Sequence, residues 1–174
     1  MFTSRDIGAI AVCSALWGVL NALISPIFWQ LTHMPIICDM LAFTVLILVI
    51  WWTRKFGAAS LVGLIVTVLT FSVNPVAFQM LGFLVASIVF DIMTRILGYD
   101  RLFKNLTWGG MMLAMISVLC AGLAGAIIGT YVMGFGTSQA ILTFAGLHAI
   151  GGLIGAMIGV VLVKALVVRR VKPA

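Results

Sequence analysis

The sequence predicts an all-α integral membrane protein: one domain over residues 1–174, a bundle of six transmembrane helices with both termini cytoplasmic. Three observations predict it. Of the 174 residues 64% are hydrophobic and 8% charged, with a mean hydropathy of +1.30; a soluble domain is about 45–50% apolar and about 25% charged. Six apolar stretches reach or approach the roughly 17–25 residues that a helix needs to cross the hydrocarbon core. All 10 Lys and Arg fall on one side of the six-helix topology. Such a chain has too little polar surface for a cytosolic enzyme, a disordered region or a secreted disulfide scaffold.

The stretches lie at about 7–29, 36–52, 57–73, 76–97, 108–133 and 140–163. The first is longer than a signal-peptide core and runs through Trp17 and Asn21 without an obvious cleavage site, so it is expected to be retained. The second and third are short. Between them, however, stand Arg54 and Lys55, which are costly to hold in lipid, so the chain surfaces there. Barrel strands are excluded by length, since they are about ten residues of alternating pattern. Gly125 and Gly129, and the row Gly151, Gly155 and Gly159, let neighbouring backbones approach closely in the last two helices. Internal packing is the favoured reading of both rows.

The basic residues sort by loop. Arg5 precedes the first helix, and Arg54 and Lys55 separate the second from the third. Arg95 lies at the end of the fourth, Arg101 and Lys104 follow it, and Lys164, Arg169, Arg170 and Lys172 lie at the C-terminal end. The first, third and fifth loops carry none, which makes the basic side cytoplasmic by the positive-inside rule. Orientation explains these clusters more simply than nucleic acid does. Cys13, Cys38 and Cys120 show neither metal-ligand spacing nor a disulfide framework and read as buried thiols.

Polar groups inside apolar helices are expensive, and function is the default hypothesis for them. Asp39 lies just inside the second helix near the outer face, either lining a site or snorkelling at the interface. Asn21 sits deeper in the first helix, Gln79 one turn into the fourth, and His148 about 12 Å into the sixth at 1.5 Å per residue. Each has a plain alternative: an interhelical hydrogen bond for Asn21, headgroup contact for Gln79, packing for His148. Taken together, Trp17, Asn21, Asp39, Gln79, Thr143 and His148 fall in the outer half of four helices or beside it, the pattern of a small-molecule cavity open to the outside. In the inner half, Asp91 and Arg95 are four apart and are expected to pair on one helix face.

Catalytic motifs are missing. The chain has no Walker A sequence, no HExxH, no paired Cys or His ligands and no Glu, so no enzymatic activity, metal or cofactor is expected. Nor does a regular ladder of acids suggest proton coupling. A chain of this kind binds or conducts something and lacks its own engine.

Four stretches resemble the substrate-binding S components of energy-coupling factor (ECF) transporters. Ala11-Val-Cys-Ser-Ala15 fits the Ala-x-x-x-Ala pattern of their first helix. Arg54-Lys-Phe-Gly-Ala-Ala59, with Gly63, is similar to their basic, glycine-punctuated turn. Asn74-Pro-Val-Ala-Phe-Gln79 opens a fourth helix that runs to Phe90-Asp91, and Gly151-Gly-Leu-Ile-Gly-Ala-Met-Ile-Gly159, followed by Lys164 and Arg169-Arg170, is like the closing helix. The resemblance implies a six-helix protein of a prokaryotic cytoplasmic membrane. Such a protein binds a water-soluble vitamin or vitamin precursor from outside and works with a membrane coupling subunit and two ATPases. It also implies that Ala11 and Ala15 are the small-residue face that meets the coupling subunit, although a helix of the same chain would suit them equally. Nickel and cobalt members carry a histidine near the start of the chain; this one begins Met-Phe-Thr-Ser, which disfavours a metal substrate. One acid, two amides and tryptophans suit a flat heterocycle with hydrogen-bond donors or positive charge, such as a thiamine precursor or thiamine-like compound. The competing reading is a small membrane scaffold or assembly subunit that binds no solute.

Overall fold

The computed structural model describes residues 1–171 and 173; Lys172, counted above in the C-terminal basic cluster, lies outside the described residues. The chain forms α1 (Ser4–Thr32), α2 (Ile36–Thr53), α3 (Ala58–Val73), α4 (Gln79–Leu97), α5 (Tyr99–Lys104), α6 (Leu106–Ile127) and α7 (Ser138–Val168). A single π-helical turn, Ile128–Val132, continues α6. No strand occurs among the described residues.

Seven helices replace the six expected. The addition is α5, six residues and about 9 Å long, far too short to span. Gly98 causes it: at φ 83° it ends α4, and the chain then winds once more. Tyr99, Leu102 and Phe103 are buried while Asp100, Arg101 and Lys104 stay exposed, so an amphipathic turn occupies what reads as a polar loop. Of the six longer helices, five are long and apolar enough to cross a membrane once the π turn is counted with α6. The sixteen residues of α3 reach only about 24 Å.

Helix ends follow local chemistry. Thr3 caps α1 in a reciprocal box with Asp6: its side chain accepts from the Asp6 amide at 3.3 Å, and its own amide donates to the Asp6 carboxylate at 2.6 Å. Asn105 caps α6 and Thr137 caps α7 in the same side-chain-to-amide manner. At the start of α3 the cap comes from elsewhere in the chain. Asp91 Oδ2 accepts from the amides of Gly57 and Ser60, each at 3.0 Å, and from Ser60 Oγ at 2.9 Å. The carboxylate therefore neutralises the positive end of α3, and the expected Asp91–Arg95 pair does not form; Arg95 is exposed.

Helix α2 is the centre of the bundle, with Phe43, Leu46, Ile47 and Ile50 buried. That accounts for its apolar character on every side. Beside it, in parallel, runs α7. Its glycine row provides the contact: a Cβ on Gly151 would lie 2.7 Å from Ile36 O, one on Gly155 2.6 Å from Met40 O, and one on Gly159 3.1 Å from Ile47 Cβ. The opposite face of α7 meets α6 in the same way, Gly152 lying against Ser117 and Ala121. Both glycine rows thus serve internal packing. One end of the bundle is ionic: Lys55 donates to buried Asp6 at 2.6 Å, and Arg54 reaches Asp100 at 3.0 Å. Large apolar side chains such as Ile7, Val12, Val19 and Leu23 cover the outward side of α1, as expected for a surface that faces lipid.

Candidate functional site

A cavity of about 710 Å³ lies toward the end of the bundle away from the ionic cluster. Its wall on α1 runs from Ala15 to Trp29, about 21 Å along the helix. The other walls come from Cys38 of α2, Thr70 of α3, Gln79, Met80 and Phe83 of α4, Ile128 of the π turn, and Phe144 and His148 of α7. The volume falls within the range of small-molecule sites, and an apolar, aromatic lining with a few polar groups is typical of them. Pro26 contributes to the wall from inside α1. Having no N–H, it cannot donate to the carbonyl of Ala22, which also lines the cavity.

The polar groups differ in how far they are satisfied. Asn21 Oδ1 accepts from Ser25 Oγ at 2.8 Å, and its Nδ2 has a weak contact of 3.8 Å with Met80 Sδ. Part of the interhelical bonding foreseen for Asn21 is therefore present, and donor capacity remains. Gln79 is half-buried at the wall. His148 is 1% exposed and Asp39 0%. Their Nδ1 and Oδ2 atoms approach to 2.7 Å, out of line for a good hydrogen bond. His148 Nε2 and Asp39 Oδ1 have no protein partner, so their bonding capacity is open to water or a solute.

Glycines make room for this pair. A Cβ on Gly125 would stand 2.7 Å from His148 Cδ2, and one on Gly151 would stand 2.8 Å from Asp39 Cβ. The imidazole thus lies directly against α6, and the carboxylate against α7. Phe144, one helical turn before His148, meets the imidazole edge-on with ring centroids 4.8 Å apart; Phe83 is 6.0 Å away.

Of the six residues expected to form the site, Asn21, Gln79 and His148 line the cavity directly. Asp39 stands behind His148 and reaches the cavity only through it. Trp17 is 1% exposed and packs edge-on against Phe83, supporting the wall from behind. Thr143 is exposed, bonds back to Gln139 O at 2.9 Å, and borders a second, shallower hollow of about 410 Å³ on the far side of Phe144. Sequence reasoning passed over Ser25, Thr70, Phe83 and Phe144. The spacing of Phe144 and His148, four residues and one helical face, was the available signal for the last.

Ala11 and Ala15 are both exposed on α1, so neither is covered by a helix of the same chain. Ala15 also borders the cavity. No group of three or more potential metal ligands occurs among the described residues. Comparison with family models, curated proteins and solved structures yields no match to this chain.

Proposed function

We propose that the protein is the substrate-binding membrane subunit of an ECF-type importer, oriented with both termini in the cytoplasm of a prokaryotic cell. In this reading it takes a small water-soluble vitamin or vitamin precursor, of the thiamine-related kind, from outside, and performs no chemistry itself. The observation that carries the reading is the cavity of about 710 Å³ with buried His148 at its wall and Asp39 behind it. A buried polar side chain at the wall of an apolar cavity of small-molecule size supports a solute-binding protein over a scaffold.

Coupling is assigned to the exposed small residues of α1. Gly8 and Ala11 leave a shallow strip between larger apolar side chains, against which a helix of the coupling subunit can pack reversibly. The engine belongs to that subunit and its two ATPases.

The test has two parts. Purified protein is titrated with labelled pyrimidine and thiazole compounds and thiamine, with dissociation constants expected in the micromolar range or below; no affinity for any of them removes the thiamine-related substrate. In membranes that also hold the coupling subunit and ATPases, Ala11→Leu is expected to abolish uptake while binding persists. Ala15→Leu is unsuitable, because its side chain would also enter the cavity. Undiminished uptake by Ala11→Leu would refute the coupling face.

A further inference from the structure

We infer that His148 presents an Nε2–H donor to the cavity, with Asp39 as its positioning residue, and that the ligand is an uncharged heterocycle whose ring nitrogen or carbonyl accepts that bond. The inference rests on the solute-binding reading above and narrows its substrate class.

Two bare acceptors, an imidazole lone pair and a carboxylate oxygen, repel one another at 2.7 Å, so one of His148 Nδ1 and Asp39 Oδ2 carries a proton, although the contact is bent. Three protonation states satisfy this. In the first, neutral imidazole donates from Nδ1 to ionised Asp39, Nε2 is bare, and the pair is negative. In the second, imidazolium faces carboxylate: Nε2 carries hydrogen and the pair is neutral. In the third, protonated Asp39 donates to Nδ1, which again forces the hydrogen onto Nε2 and leaves the pair neutral.

Burial decides among them. Both residues are essentially inaccessible, and a net charge there is costly unless another charge compensates it. None does. Among the described residues the cavity wall holds no Lys, Arg, Glu or Tyr, and Cys38 of α2 is its one other titratable group. The walls from α1, α4 and α6 or its π turn add only apolar or amide and hydroxyl side chains. Both neutral states keep hydrogen on Nε2, and His148 is the member of the pair that lines the cavity.

The ligand class follows. An anion would meet no compensating cation, and a permanent cation such as a thiazolium would face an N–H donor at His148 where it needs an acceptor. A neutral ring with an acceptor atom takes the Nε2–H as it stands, while Asn21 and Gln79 offer amide donors and Gln79 an acceptor for its remaining edge. An uncharged pyrimidine or thiazole precursor therefore fits better than thiamine itself.

The chain has only two histidines, so a His33→Asn protein labelled with ¹⁵N-histidine reports on His148 alone. Long-range ¹⁵N–¹H correlation of the ligand-free protein in nanodiscs at neutral pH is expected to show a proton bonded directly to Nε2. A bare, pyridine-like Nε2 would overturn the proposal, whichever solute the protein proves to bind. Asp39→Asn can still donate from its amide to Nδ1 and is expected to keep the Nε2 proton; a switch to the opposite tautomer would overturn the positioning role. Saturating thiamine is expected to leave the Nε2 proton in place, and its loss would overturn the uncharged ligand class while leaving solute binding itself intact.

Discussion

Gly155→Ala adds one methyl group where α7 touches α2, and its effect can be worked out in advance. The new Cβ would lie 2.6 Å from Met40 O and 2.9 Å from Met40 Cα. Ordinary van der Waals contact begins near 3.4 Å, so the shortfall against the oxygen is about 0.8 Å. Both obstructing atoms are backbone, and no rotamer change relieves them; the helices themselves must separate. Overpacking of this kind costs about 1–3 kcal/mol, and the rigid wall places Gly155→Ala toward the upper figure. Gly159→Ala faces the Ile47 side chain at 3.1 Å, a shortfall of about 0.3 Å that a side chain can absorb, and about 1 kcal/mol or less is expected. Gly146→Ala meets nothing within 4 Å and is expected to be neutral or to gain up to about 1 kcal/mol in helix propensity. Unfolding in mixed micelles, followed through the five tryptophans, measures all three. Equal stability of Gly155→Ala and Gly146→Ala would refute the backbone contact, and with it the placement of Asp39 against α7.

Other expectations follow from the same geometry. Asp91→Ala strips the α3 N-terminus of three hydrogen bonds and should cost about 1–3 kcal/mol in the same assay, with Asp91→Asn falling between it and the parent; an unchanged Asp91→Ala would disprove the cap. Asn105→Ala should cost about 1 kcal/mol through loss of the α6 cap, read as a lower unfolding midpoint. Trp17→Ala should destabilise by about 3–5 kcal/mol, whereas Thr143→Ala should alter neither stability nor solute affinity; a large loss of affinity in Thr143→Ala would place the ligand in the outer hollow. Gly125→Ala should displace His148 and weaken solute binding at least tenfold, measured by equilibrium titration of folded protein.

The long apolar elements were legible because hydrophobicity persists over the whole width of a bilayer. α2 begins at the expected residue, and most other observed ends lie within a few residues of those expected. What escaped was short or non-local. α5 is hidden because six residues of mixed character look like a loop until Gly98 turns the chain and three of them find a core. Asp91 and Arg95 share a helix face by spacing, but the amides at Gly57 and Ser60, brought in by folding, compete for the carboxylate and win it. Depth along each helix put Asn21, Gln79 and His148 at one level, and all three border the cavity. Rotation about the helix axis was not readable, and rotation is what carries Trp17 behind the wall and Thr143 outside it. Asp39 and His148 were noticed separately; only the close approach of α2 and α7 over glycine makes them a pair.

The central claim is that this chain holds a small solute, and native mass spectrometry of protein extracted gently from its own membranes tests it most directly. The account predicts a retained molecule of a few hundred daltons, released on activation, with a coupling subunit and ATPases in the heavier species. A bare chain with no small molecule and no ATPase partner would contradict the account and favour a membrane scaffold.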